Sequence, residues 1–268
     1  MHQSAEVLFL SHGGGPLPLL GDPGHAEMRA CLEHIASLIQ KPSAILVISA
    51  HWEAGAPTVT ASASPSLIYD YSGFPPESYQ ISYPCLGDVG LANQVYEQLK
   101  FAGFDAARDE QRGLDHGVFV PLKMMFPDAD IPCVQLSLLK HLDPETHLRM
   151  GEALQGLAQE NLLIIGSGFS FHNMRAFFAP ETDISLQMNQ AFEAWLEDTC
   201  SNPGLSESER RNRLLNWGQA PGARFCHPRE EHLLPLHVCY GATGLACSDS
   251  FQLRILGKLA SMYLWRAE

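Results

Sequence analysis

Apolar residues fall in short runs closed by glycine or proline, and between those runs they recur at helical spacing. Val7 to Ser11 is one such run, stopped by Gly13-Gly14-Gly15-Pro16. His25 to Ile39 follows with Met28, Leu32, Ile35 and Leu38 along one helical stripe. Ala44 to Ser49 is apolar without alternation, which predicts a strand buried on both faces. Further strands are predicted at Thr58 to Ser62, Ile131 to Ser137 and Asn161 to Gly166. Further helices are predicted at Gly90 to Ala102, Pro144 to Glu160, Ile184 to Cys200 and Ser206 to Trp217, the last charged and surface-lying. A helix over Glu231 to Tyr240 would carry His232 inward. No run of paired hairpins is expected. Strands alternating with helices predict an α/β fold, a single-domain sandwich over residues 1–268 with a central mainly parallel or mixed sheet and helices on both faces.

Composition narrows the partners. With 46% hydrophobic and 18% charged residues the 268-residue chain has globular composition, long enough for one well-buried core. Seventeen basic against thirty acidic residues give a net charge of -13, whose field repels nucleic acid and anionic membranes, so neither is expected as a partner. The seven cysteines are scattered, odd in number and free of Cys-x-x-Cys pairs, which points away from a disulfide framework or zinc ribbon and toward a reducing compartment. No basic leader and no apolar stretch of membrane-spanning length is evident, so a cytoplasmic protein is expected, with a homo-oligomer left open.

The chemistry-bearing residues are histidines. In open α/β sheets ligands bind at the carboxyl ends of the strands. Three histidines stand at or soon after such ends: His12 in Ser-His-Gly-Gly-Gly, His51 in Ile-Ser-Ala-His-Trp-Glu and His172 in Gly-Ser-Gly-Phe-Ser-Phe-His-Asn. His232, in Glu-Glu-His-Leu-Leu-Pro, sits in a comparable turn-rich motif. Such a set can converge on one metal ion, with Glu53 close to His51 in sequence and Glu230 or Glu231 competing with His232 as a ligand. His172 is either a fourth ligand or an acid/base group beside the metal, and for His116, next to Asp115, a site role competes with a structural one. Ser72-Gly73-Phe74-Pro75-Pro76 and Tyr83-Pro84 make a stiff aromatic loop, and Phe74, Tyr71, Tyr79 and Trp52 are candidate pocket walls. His2, His25, His34, His141, His147, His227 and His237 lack these settings and are given no functional role. Nucleotide binding is disfavoured because no Gly-x-Gly-x-x-Gly or Walker loop is present. No His-Glu-x-x-His zinc-protease pattern occurs, and Gly166-Ser167-Gly168 is no nucleophile elbow.

Six ordered motifs, Leu-Ser-His-Gly-Gly-Gly-Pro, Val-Ile-Ser-Ala-His-Trp-Glu, Leu-Asp-His-Gly-Val-Phe-Val-Pro-Leu, Pro-Asp-Ala-Asp-Ile-Pro-Cys-Val-Gln-Leu-Ser, Gly-Ser-Gly-Phe-Ser-Phe-His-Asn and Glu-Glu-His-Leu-Leu-Pro-Leu, resemble the class III extradiol ring-cleaving dioxygenases, in particular the DOPA 4,5-dioxygenase-like subgroup. The resemblance runs from about residue 7 to 260. It implies a mononuclear non-haem Fe(II), often replaced by Zn(II), with His12, His51 and His232 as ligands, His172 as the acid/base group near the metal, and His116 near the substrate. It further implies a small catechol substrate and O2, joined into a muconic semialdehyde. Better-known relatives use a glutamate as third ligand where Glu231-His232 here offers both types. The opening Gly-Gly-Gly-Pro also departs from the Gly-Ser-Pro of many relatives. Competing expectations are a zinc-dependent hydrolase or amidase on the same fold, and a non-catalytic interaction protein that retains it.

Overall fold

A computed structural model of the chain describes residues 5–266, leaving His2 outside the described residues. Its strands are β1 (Glu6–Ser11), β2 (Ala44–Ala54), β3 (Thr58–Thr60), β4 (Ala107–Asp109), β5 (Cys133–Leu139), β6 (Leu162–Gly168), β7 (Asp249–Ile255) and β8 (Lys258–Trp265). They form one sheet in the order β4-β3-β5-β2-β6-β1-β8-β7. The central β5-β2-β6-β1 segment is parallel, β3 pairs antiparallel with β5, and β8 pairs antiparallel with β1 and β7. The α/β class and the mixed sheet agree with the sequence pattern.

The central strands are apolar without alternation because both their faces are covered. Val7, Phe9, Leu46, Ile48, Leu162 and Ile164 face one hydrophobic cluster, while Leu8, Leu10, Ile45, Val47, Leu163 and Ile165 face another. Successive side chains leave a strand on opposite sides, so each strand feeds both cores. On the first face lie α2 (Val89–Phe101), α4 (Pro144–Leu154), α6 (Asp183–Ser201), α7 (Glu207–Leu215) and α9 (Leu234–Thr243). On the second lie α1 (Ala26–Leu38) and α3 (His116–Met125). Two short helices, α5 (Met174–Phe178) and α8 (Ala223–Cys226), shape the loops between β6 and α9. Side chains of Asp88, Asp143, Thr182 and Ser206 accept from backbone N–H groups at the starts of α2, α4, α6 and α7, which fixes those boundaries.

Several elements depart from the sequence expectation. The C-terminal strands β7 and β8 form a hairpin closed by the two-residue turn Leu256-Gly257, where no paired hairpin is expected. A leucine at φ 51° fills a turn position that Asn, Asp or Gly usually signals, so the turn carries no local signature at its first residue. Helix α9 starts at Leu234 rather than Glu231, leaving His232 in the turn ahead of it, because Pro235 suits only the first turn of a helix. Helix α3 carries Val118, Val120 and Pro121, residues poor in helix propensity, and forms because all three are buried against the sheet.

Candidate metal centre and active site

Parallel pairing of β1, β2 and β6 brings their carboxyl ends to one edge of the sheet. His12 directly follows β1, and its N–H donates to Gly168 O at 2.9 Å. His51 lies in β2 where the register with β5 shifts between Ile48 and Glu53, an irregularity that turns its side chain toward the edge. His172 follows β6, held by its N–H on Cys226 O, and His116 opens α3. The turn bearing His232 is drawn onto the same edge because Phe169 N donates to His232 O at 2.9 Å. Gly168 permits that approach: a Cβ there would stand 2.1 Å from His232 O. The five imidazoles line one cavity of about 480 Å³.

Within the cavity, His12 and His51 meet Nε2 to Nε2 at 3.0 Å, and the His232 ring centre lies 5.3 Å from that of His12 and 5.0 Å from that of His51. Candidate ligand atoms of His12, His51 and His116 lie within 4.8 Å of one another, and those of His172, Glu231 and His232 form a second such group. Two of the three expected ligands have Nδ1 hydrogen-bonded away from the cluster, and the third has it facing a carboxylate at longer range. His12 Nδ1 bonds Ser167 Oγ at 3.0 Å, His51 Nδ1 is 3.6 Å from Asp70 Oδ2, and His232 Nδ1 bonds Glu231 Oε1 at 3.0 Å. A proton on Nδ1 of His12 and of His232 leaves Nε2 with its lone pair free for a metal, the tautomer control that outer partners exert on ligating imidazoles.

Electrostatics agree with that assignment. Burial first, then the neighbouring imidazoles, holds His12 and His51 well below the ordinary histidine range, and burial and His172 bring His232 down to about 3. Burial would raise the Glu231 carboxyl, yet hydrogen bonds from His172 and His232 outweigh it and keep the group ionised. His12, His51 and His232 are therefore held neutral, with two nitrogens 3.0 Å apart that repel unless a cation or proton is shared between them. This donor set fits a borderline divalent ion.

Of the candidate carboxylates, Glu231 uses Oε1 on His172 Nδ1 (3.1 Å) and His232 Nδ1, and Oε2 lies 3.3 Å from Arg229 without hydrogen-bond geometry. Glu53 is gripped by both terminal nitrogens of Arg229 at 2.6 and 2.7 Å, and Glu230 pairs with Arg224. The aromatic candidates divide: Tyr71 and Phe74 line the cavity, but Trp52 is buried beneath the Arg112 guanidinium, 4.3 Å away, and Tyr79 packs on Tyr71 outside it. Trp52 adjoins His51 in sequence, but it lies within the same strand, where neighbours face opposite ways.

Sequence reasoning missed Asp70 and Ser167. Asp70 Oδ1 accepts from both Nδ1 (2.7 Å) and the backbone N–H (3.0 Å) of His116, fixing that ring; an acid between Tyr69 and Tyr71 was the available signal. Ser167 Oγ donates to Gly117 O, and that carbonyl is free because Pro121, four residues on, has no N–H. The serine is thereby turned to accept from His12. Histidines without an expected role have backbone or loop partners: His227 on Ser170 O, His237 on Leu214 O, His147 between Asp143 O and Leu139 N, and His25 between Asp22 and the N–H of Gly14.

Residues 7–262 match the family described as the catalytic LigB subunit of aromatic ring-opening dioxygenase. The chain belongs to this family. Dioxygenase tasH of Hapsidospora irregularis is 45% identical over 252 residues, 89% of this chain and 78% of that protein. A 4,5-DOPA dioxygenase extradiol of Beta vulgaris is 40% identical over 242 residues, 89% of this chain and 87% of that protein. A crystal structure of an uncharacterized protein from Escherichia coli K12 superposes with a TM-score of 0.73 at 27% identity, covering 97% of this chain and 99% of that one. As a LigB-family member the chain is a dioxygenase, in a family whose enzymes are metal-dependent. No helix among the described residues is long and apolar enough to cross a membrane.

Proposed function

We propose that the chain is an extradiol dioxygenase, a single catalytic domain that opens a catechol ring beside one hydroxyl with O2 to give a muconic semialdehyde. The observation that carries this is the convergence of five imidazoles on one cavity, two of the three expected ligands with Nδ1 hydrogen-bonded outward. His12, His51 and His232 would hold the metal, Fe(II) for turnover with Zn(II) as the substitute; His116 is the rival third ligand by proximity. An ion held there would supply Lewis acidity that favours ionisation of the catechol hydroxyls and would bring catechol and O2 together.

The protein's own groups supply the proton handling. With its Nδ1–H donating to Glu231, His172 has Nε2 as an acceptor on the cavity wall, placed to take a phenolic proton and return it to the leaving oxygen. Asp70 plays the same orienting part for His116, whose Nε2 is then left to accept a hydrogen bond from a substrate hydroxyl. Phe74 and Phe169 flank this polar floor and keep bulk water from it. Protein reconstituted anaerobically with Fe(II) and then given O2 and a panel of catechols should consume oxygen and form a yellow ring-opened product. Absence of turnover with every catechol, or activity that persists without O2, would contradict the assignment and favour a zinc hydrolase.

A further inference from the structure

The cavity wall is built to sort substrates by charge. Beyond the imidazoles, a glycine loop and Tyr71, it is made of Phe74, Phe169, Met174, Phe177, Phe178 and Leu256, and none of its lining residues is Lys, Arg, Asp or Glu. Apolar surface continues out of the mouth along α5, where Phe178 is 83% and Met174 54% exposed. Large apolar side chains left in water at the rim of a pocket mark where a ligand's hydrocarbon would lie.

Leu256 adds an independent observation. It occupies the left-handed backbone region at φ 51° in the β7–β8 turn, next to Gly257 at φ 79°, a position ordinarily given to Asn, Asp or Gly. Its N–H is tied to Gly24 O at 2.8 Å, and its side chain packs over Gly14 on the cavity wall. Strained backbone persists where the strained residue is needed, and here it delivers an apolar side chain to the pocket. The nearby cations are directed elsewhere. Arg229 is held on Glu53, and both Arg175 and Arg229 line a groove that adjoins the cavity at His172 and Met174, neither being among the cavity's own lining residues. A carboxylate or ammonium placed against this wall loses its hydration without gaining a partner.

We propose that the site selects an uncharged catechol carrying an apolar substituent, with the ring hydroxyls on the histidine floor and the substituent running between Phe74, Leu256 and Phe178 toward the mouth, and that it discriminates against amino-acid and carboxylated catechols. This rests on reading the cavity as a catechol site. The test compares 4-tert-butylcatechol, L-DOPA and 3,4-dihydroxybenzoate in two measurements. One is kcat/KM with the Fe(II)-loaded protein. The other is equilibrium binding to the Zn(II)-loaded protein under nitrogen. The alkyl catechol should exceed both charged ones by about tenfold or more in each. Equal or better performance of L-DOPA or 3,4-dihydroxybenzoate overturns the proposal. A binding preference without turnover leaves the selectivity standing while the proposed reaction falls, and no binding of any catechol removes both. Phe178→Arg, a change at an exposed position, should raise the ratio of 3,4-dihydroxybenzoate to 4-tert-butylcatechol at least about fivefold in binding; an unchanged ratio places the substituent elsewhere and counts against the proposed path.

Discussion

Apart from His232, whose partner Glu231 adjoins it in sequence, the imidazoles of the cluster face partners that sequence places far from them. Ser167 reaches His12 only because Pro121 frees the Gly117 carbonyl, and Asp70 reaches across 46 positions to His116. Removing such an orienting partner ordinarily costs ten- to a hundredfold in metal affinity or activity. Ser167→Ala should therefore weaken metal binding by about ten- to a hundredfold, measured by competition with a chelator, while the fold is retained. Asp70→Asn should lower kcat by a similar factor with a smaller loss of metal affinity, since the amide pairs less well with both His116 donors and Asp70 also stands 3.6 Å from His51 Nδ1; metal loss as large as that of Ser167→Ala would make His116 a ligand. The histidines themselves were legible because glycine-rich strand ends frame them. Their orienting partners were not, because Asp70 and Ser167 act through contacts that no local pattern encodes.

At the scale of elements, the site is a product of parallel register plus one imported turn. The carboxyl ends of β1, β2 and β6 meet at one edge by sheet topology alone, whereas the turn carrying His232 must be docked there, through Phe169 N and against Gly168. Gly168→Ala would drive a methyl group into His232 O, so it should cost about 1–3 kcal/mol in a denaturation experiment and lower metal occupancy together. Retained occupancy at lower stability would separate the turn from the site. Periodicity made β1, β2, β5 and β6 legible, along with the long helices, because burial on one or both faces leaves a regular apolar spacing. It did not reveal α3, whose valines and proline are helical only through burial. Nor did it reveal the β7–β8 hairpin, whose turn holds a leucine where turn residues are expected.

Across the whole molecule, the polar interior carries a cost that depends on pH. Glu193 is fully buried in the first core, bonded to Ser261 with its second oxygen unpartnered, and burial raises its pKa from 4.5 to about 7. An acid raised on folding stabilises the folded state least where the unfolded group is ionised, so its contribution is full below pH 4.5 and is lost as pH rises through 7. The stability difference between wild type and Glu193→Gln should accordingly shift by about 2 kcal/mol in the variant's favour between about pH 5 and pH 8, read from urea denaturation. Parallel profiles would contradict it. The net charge of -13 and an apolar, uncharged cavity wall act in the same direction on ligands, disfavouring anions at the surface and again inside. The central claim is that the histidine cavity joins dioxygen to a catechol. Its most direct test supplies isotopically labelled O2 to the Fe(II)-loaded protein and reads the label in the ring-opened product by mass spectrometry. Labelled oxygen in the new carboxylate group of the product is the predicted result; a product that forms without label, or forms equally well under nitrogen, would contradict it.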